Sequence, residues 1–136
     1  MSRVNYDQGM RGKAKPEWTA LPERVVDAFT KAAESVSGVA VRQMFGHPAA
    51  FLEGNMFAGI FQNCVILKLP EQMREGLVEQ GGRPFEPEPG QVMREYVVLP
   101  ESVALLAQLL DDWISEAASY ARILPPKASP GSPREG

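Results

Sequence analysis

Residues 39–69 decide the fold: VAVRQMFGHPAAFLEGNMFAGIFQNCVILKL. Their apolar side chains come in short runs rich in Val, Ile, Phe and Met, and small polar or glycine-containing clusters separate the runs. That pattern belongs to β-strands joined by turns, since no apolar stripe recurs at helical spacing. Residues 39–45 read as a first strand, 49–52 as a second, 56–61 as a third and 64–69 as a fourth. Glu53, Gly54 and Asn55 supply one turn, with Gly54 and Asn55 both tolerant of positive φ, and Gln62 with Asn63 supplies another. Links this short cannot carry a parallel crossover, so the four strands form an antiparallel meander.

On either side of this meander the chain repeats one piece of punctuation, Leu-Pro-Glu, at 21–23, 69–71 and 99–101. Proline is pre-set for the first helical position, where its missing N–H costs nothing, and a glutamate in the first turn faces the positive end of the helix dipole. Each triplet therefore predicts a helix start. After the first, Val25, Phe29, Ala32, Ala33 and Val36 recur at helical spacing, with Ser37 and Gly38 as the stop. After the second, Met73, Leu77 and Val78 form a short stripe that ends at Gly81 and Gly82. The third opens a long helix with Val103, Leu106, Leu110, Trp113, Ile114, Ala117, Ala121 and Leu124 on one face, closed by Pro125 and Pro126. A Pro- and Gly-rich connection, residues 81–90, leads into a fifth strand near 94–99. The expected fold is α+β, an antiparallel sheet of about four to five strands with three helices, in the order α-β-β-β-β-α-β-α.

The bulk numbers agree with one domain. A chain of 136 residues with 44% hydrophobic and 23% charged residues can bury a full core without disulfides or metals. Residues 19–125 are expected to form it, between a flexible basic tail at 1–18 and a disordered tail at 126–136, rich in Pro, Ser and Gly. The lone Cys64 asks for no oxidising compartment, and no apolar run reaches the length of a membrane span, so the expectation is a cytoplasmic protein that neither spans nor binds a membrane. Net charge is −3, but residues 1–15 carry +3 and residues 121–136 carry +2, which leaves −8 on the stretch 16–120. An acidic body disfavours general nucleic-acid binding, which depends on neutralising phosphates with Lys and Arg.

Catalysis and metal binding both need several polar side chains to converge, and the inventory for them is thin. There is one histidine, His47, and one cysteine, Cys64, which opens an apolar strand where a buried inert thiol is the ordinary outcome. Zinc would need about four ligands, and the glycines near 54–59 have neither the spacing nor the GK[ST] of a phosphate loop. Glu86 and Glu88 lie among alternate prolines, in a stiff extended loop that presents them as solvated charges. No catalytic residue, metal or cofactor is therefore expected. Met44, Phe45, Met56, Phe57, Phe61, Phe85, Met93 and Tyr96 are expected mainly to fill the space between sheet and helices, any remainder forming a partner-binding patch. Arg42 and Arg94 fall on predicted strands, where a half-buried guanidinium can hold carbonyls.

Three ordered motifs carry a family resemblance: RQMFG (42–46) followed by EGNMFA (53–58), then VILKL (65–69) with PFEP (84–87) and Pro89-Gly90, then MREY (93–96) ahead of the last helix. Together they resemble the N-terminal domain of the TfoX family, also called Sxy, over approximately residues 20–124. The resemblance implies an α+β fold with an antiparallel sheet, a stand-alone N-terminal-domain protein, and a non-enzymatic role in transcriptional or competence regulation. It implies another protein as partner, a transcription regulator such as the cyclic-AMP receptor protein. The family pattern continues MFG with a second glycine and a small or aromatic residue, whereas His47 and Pro48 follow in this chain. The resulting expectation is a protein-interaction module whose binding face comprises Phe45, Gly46, His47, Phe85 and Arg94. Direct nucleic-acid binding is the alternative, and a small-ligand pocket beneath the Pro-rich loop the third. Oligomeric state stays open.

Overall fold

The computed structural model describes residues 21–44 and 46–126. The expectations for the tail 1–18, for Phe45 and for the tail beyond Pro126 lie outside the described residues. The elements run α1 (Glu23–Glu34), β1 (Ala40–Met44), β2 (His47–Leu52), β3 (Asn55–Phe61), β4 (Cys64–Lys68), α2 (Glu71–Glu79), β5 (Arg83–Glu88), β6 (Gln91–Val98), α3 (Glu101–Ala104) and α4 (Ala107–Arg122). The α+β class and the antiparallel meander stand. The sheet has six strands in the order β1-β2-β3-β4-β6-β5, larger than the four to five expected, and there are four helices among the described residues rather than three.

The extra strand is the Pro-rich connection. Alternate prolines make residues 83–88 extended, as expected, but β5 also pairs antiparallel with β6. Pro84 and Pro87 are tolerated because β5 is an edge strand, where the donors they lack have no second strand to meet. The pairing slips between Pro84 and Phe85 and again between Phe85 and Glu88, and the Glu86 carboxylate closes the turn by accepting from the Gly90 amide at 2.6 Å. The opposite edge, β1, holds an unbroken register against β2 from Ala40↔Phe51 to Met44↔His47.

All three Leu-Pro-Glu triplets start helices, with the boundary one residue later than expected. Proline is the N-cap and glutamate the first helical residue, and the Pro22, Pro70 and Pro100 carbonyls accept amides of the first turn. The long last helix is broken. Leu106 takes an extended conformation between α3 and α4 and is 55% exposed, so it leaves the apolar stripe that its spacing assigned to it. No proline or glycine marks the break, and Leu106 opens α4 by accepting the Leu110 amide at 2.9 Å. Helix α2 ends in a Schellman motif, with Gly82 N–H donating to the Leu77 carbonyl and Gly81 N–H to that of Val78. A Cβ on Gly82 would sit 2.5 Å from the Val98 carbonyl oxygen. The close approach of α2 to β6 requires glycine there.

Helices α1 and α4 pack on each other, and α4 lies on β2, β3 and β4. The main core fills that interface. Val25, Phe29 and Ala33 from α1 and Leu110, Ile114, Ala117 and Ala121 from α4 meet Leu52, Phe57, Val65, Leu67 and Val97 from the sheet. Arg122 reaches the Ser37 carbonyl at 3.1 Å, and buried Asn55 donates its amide to the Pro125 carbonyl at 3.0 Å. Asn55 therefore fastens the end of α4 to β3 and is not a turn residue; the positive-φ pair of that turn is Glu53 and Gly54. Arg74 ties α2 down by donating to the carbonyls of Leu69, at 2.8 Å, and Arg94.

Candidate functional site

Strand alternation sends every second side chain to the face that α1 and α4 leave open. The register aligns one row of that face across the whole sheet: Arg42, Ala49, Gly59, Ile66, Val98, Arg83. Its middle is small. A Cβ on Gly59 would meet Ala49, Met56 and Ile66 at ordinary contact distances of 3.6 to 3.8 Å, so the floor there is closely flanked and has room for a small side chain only. Around that floor lies a trough of about 570 Å³, walled by Met44 and His47 on one side and by Phe61, Phe85 and Met93 on the other, with Glu88 at its mouth.

A second, smaller cluster of Ile66, Phe85, Tyr96 and Val98 holds the wall, with Met56, Phe61 and Cys64 packed against it. Phe85 stands edge-on to Phe61, with ring centroids 5.2 Å apart, and to Tyr96 at 6.3 Å. Aromatic pairs favour this geometry, which sets the negative face of one ring against the positive edge of the other. The Tyr96 hydroxyl donates to the Met56 carbonyl at 2.9 Å. Burial, aided by the Glu95 carboxylate, pushes the Tyr96 phenol up to about 12. Met56, Phe61, Phe85 and Tyr96 thus do not fill the space between sheet and helices as expected; Phe57 does. An antiparallel sheet with helices on one side can leave its other face to water, and these side chains cover part of that face.

Charges on this face are largely engaged. The Arg42 guanidinium lies 4.9 Å over the Phe51 ring, Arg83 donates to the Cys64 sulfur at 3.1 Å, and the Lys68 ammonium, 4% exposed as a residue, pairs with Glu95 at 3.1 Å. Among the described residues no group of three or more His, Cys, Asp or Glu side chains is placed to hold a metal ion.

Of the residues singled out in the sequence, the fold brings His47 and Phe85 to one trough. His47 and Pro48 belong to β2 and not to the turn, since Met44 pairs directly with His47 and leaves two residues between the strands. The β2–β3 ladder begins at Ala49, so the N–H that Pro48 lacks falls where that pairing has ended. Gly46 is exposed at φ 82° beside the trough. Arg94 points elsewhere: it is exposed and lines a separate cavity of about 690 Å³ between α2 and the β5–β6 hairpin, with Glu71, Glu75, Val78 and Val92. Phe85 lies on a strand and is 6% exposed, so it is part of the wall and not a loop tip. Sequence reading missed Ala49 and Gly59, whose importance appears only once strand register makes them neighbours.

A family model described as the TfoX N-terminal domain matches residues 31–121, two thirds of the chain. The chain belongs to the TfoX N-terminal domain family. That match runs from the last turn of α1 to the last turn of α4 and so takes in the whole sheet and the trough. No curated protein matches this TfoX-family chain. Among its described residues, no helix is long and apolar enough to cross a membrane.

Proposed function

We propose that this chain is a non-catalytic protein-interaction module whose docking surface is the open face of the sheet, and that it serves in cytoplasmic transcriptional or competence regulation by holding a regulatory protein. The observation that carries the reading is the trough itself. Helices cover one side of the sheet, while the other bears a trough lined by Met44, Met56, Phe61, Phe85 and Met93, whose contact surface is mostly apolar and partly open to solvent. Methionine-rich surfaces adapt to a partner because the side chain is unbranched and polarizable. Membership of the TfoX N-terminal domain family supports a regulatory or competence-related domain.

The net charge supports a protein partner over nucleic acid. Residues 21–126 hold 8 Lys and Arg against 14 Asp and Glu, a poor basis for phosphate neutralisation.

A photo-crosslinking amino acid at Met93, on the rim of the trough, tests the reading against the same label at Leu109 on α4. In native lysate treated with nuclease, the Met93 label should yield a discrete protein adduct that the Leu109 label does not. Equal labelling from both positions, or adducts that vanish with nuclease, would overturn it.

A further inference from the structure

We propose that the trough on the open sheet face takes one large apolar side chain of a partner segment, with a lysine or arginine of that segment beside Glu88. The proposal rests on the protein-interaction reading and names the chemistry of the partner. Three features of the trough select this occupant.

The first is its openness. Met93 is 43% exposed, and Met44, His47 and Phe61 are half-buried, so the trough meets solvent along its rim. Metabolite sites instead enclose most of their ligand. A side chain projecting from a backbone that stays outside suits an open trough.

The second is the floor. Gly59 lies among Ala49, Met56 and Ile66, all of them apolar, and the Phe61–Phe85 edge-to-face pair offers a ring wall beside it. A floor and wall of this kind reward a bulky ring or a long aliphatic chain, with contact rather than hydrogen bonding as the source of affinity.

The third is charge. Glu88 is the one Asp, Glu, Lys or Arg among the residues lining the trough. It is exposed, and the neighbouring Glu86 is occupied by the Gly90 amide. The two arginines of the same face are turned to Phe51 and to Cys64. A cation flanking the inserted side chain meets a carboxylate at the mouth, and an anion there meets repulsion.

The test is an NMR titration of the isotopically labelled full chain with two capped tripeptides, acetyl-Lys-Trp-Lys-amide and acetyl-Glu-Trp-Glu-amide, at low salt. The lysine peptide should shift the amides of Gly59, Ile66 and Met93 and bind about threefold tighter than the glutamate peptide, the size expected of an exposed charge pair. Glu88→Gln should erase that difference while leaving the shifts in place. Gly59→Val sets two methyls into the floor and should weaken both peptides about tenfold. Gly59→Ala, whose Cβ fits at ordinary contact distance, should weaken them less, and it keeps the test valid if the valine variant unfolds.

Equal binding of the two peptides, preference for the acidic one, or shifts confined to the α2 side of the hairpin would overturn the proposal. If the Met93 crosslink captures a partner while either of the first two results is found, the charge assignment falls and the interaction reading stands. If neither peptide shifts the trough and no partner crosslinks from Met93, both fall.

Discussion

The Tyr96 hydroxyl donates to the Met56 carbonyl at 2.9 Å, so β6 is laced to β3 across the intervening strand β4. The bond ties Met56, which lines the trough, to Tyr96, which packs against Phe85 in its wall. It also sets a dependence on pH. The phenol is raised from 10.0 to about 12, first because burial disfavours the phenolate and then because Glu95 is near. A raised pKa contributes stability that is fully present below pH 10 and is lost as pH climbs through 12, since the unfolded chain releases the proton first. A rise of that size corresponds to roughly 3 kcal/mol at most. In Tyr96→Phe that loss between pH 10 and 12 should disappear, and the variant should be about 1 kcal/mol less stable at neutral pH for want of the hydrogen bond. Urea unfolding of both proteins across that range checks it; parallel curves would refute the assignment.

Gly82→Ala should destabilise the fold by about 2 kcal/mol or more, because its Cβ would collide with the backbone of Val98 and of Leu77, neither of which can rotate away. Gly76→Ala, where a Cβ meets nothing within 4 Å inside α2, should stabilise by about 0.5 to 1 kcal/mol. Opposite shifts in thermal midpoint are the expected result.

Phe85→Ala should cost about 3 kcal/mol, as the ring is buried against Phe61 and Tyr96. Denaturant unfolding measures it. Loss of partner binding in that variant would therefore report on the wall as well as on contact, whereas His47→Ala, half-buried at the rim, should leave stability within about 0.5 kcal/mol.

Lys68 and Glu95 should respond unequally. Glu95→Gln leaves a buried ammonium without its carboxylate and should cost about 1 kcal/mol, a modest figure because the Glu95 side chain is 64% exposed. Lys68→Met removes the charge altogether and should be close to neutral. In urea unfolding, a larger loss for Lys68→Met than for Glu95→Gln would reverse that order.

Asn55→Ala should cost about 1 to 2 kcal/mol, since it removes the donor to the Pro125 carbonyl from a site that is 1% exposed. Amide exchange at the last turn of α4 should quicken with it.

Local patterns made much of the fold legible. Leu-Pro-Glu marked three helix starts, and short apolar runs parted by turn residues from Val39 to Leu69 marked four strands, because capping and turn chemistry act over a few residues. What stayed hidden depends on distant neighbours. Residues 83–88 look like a loop until β6 offers them a partner, and Leu106 looks like core although it stands extended and exposed between α3 and α4. For the site, His47 and Phe85 were visible as unusual residues, but Gly59 matters only through Ala49 and Ile66 on the adjoining strands. Arg94 drew attention by its type, and its placement on the α2 side follows from the irregular pairing of β5 with β6, which no residue type announces.

The two margins of the sheet have opposite prospects. β5 is short of two donors and slipped in register, while β1 is regularly paired. A further strand can be added along one side only. Two copies joined margin to margin would expose β5 at both outer ends, and the addition would stop there. Association by this route terminates at a pair and cannot run on into a fibre.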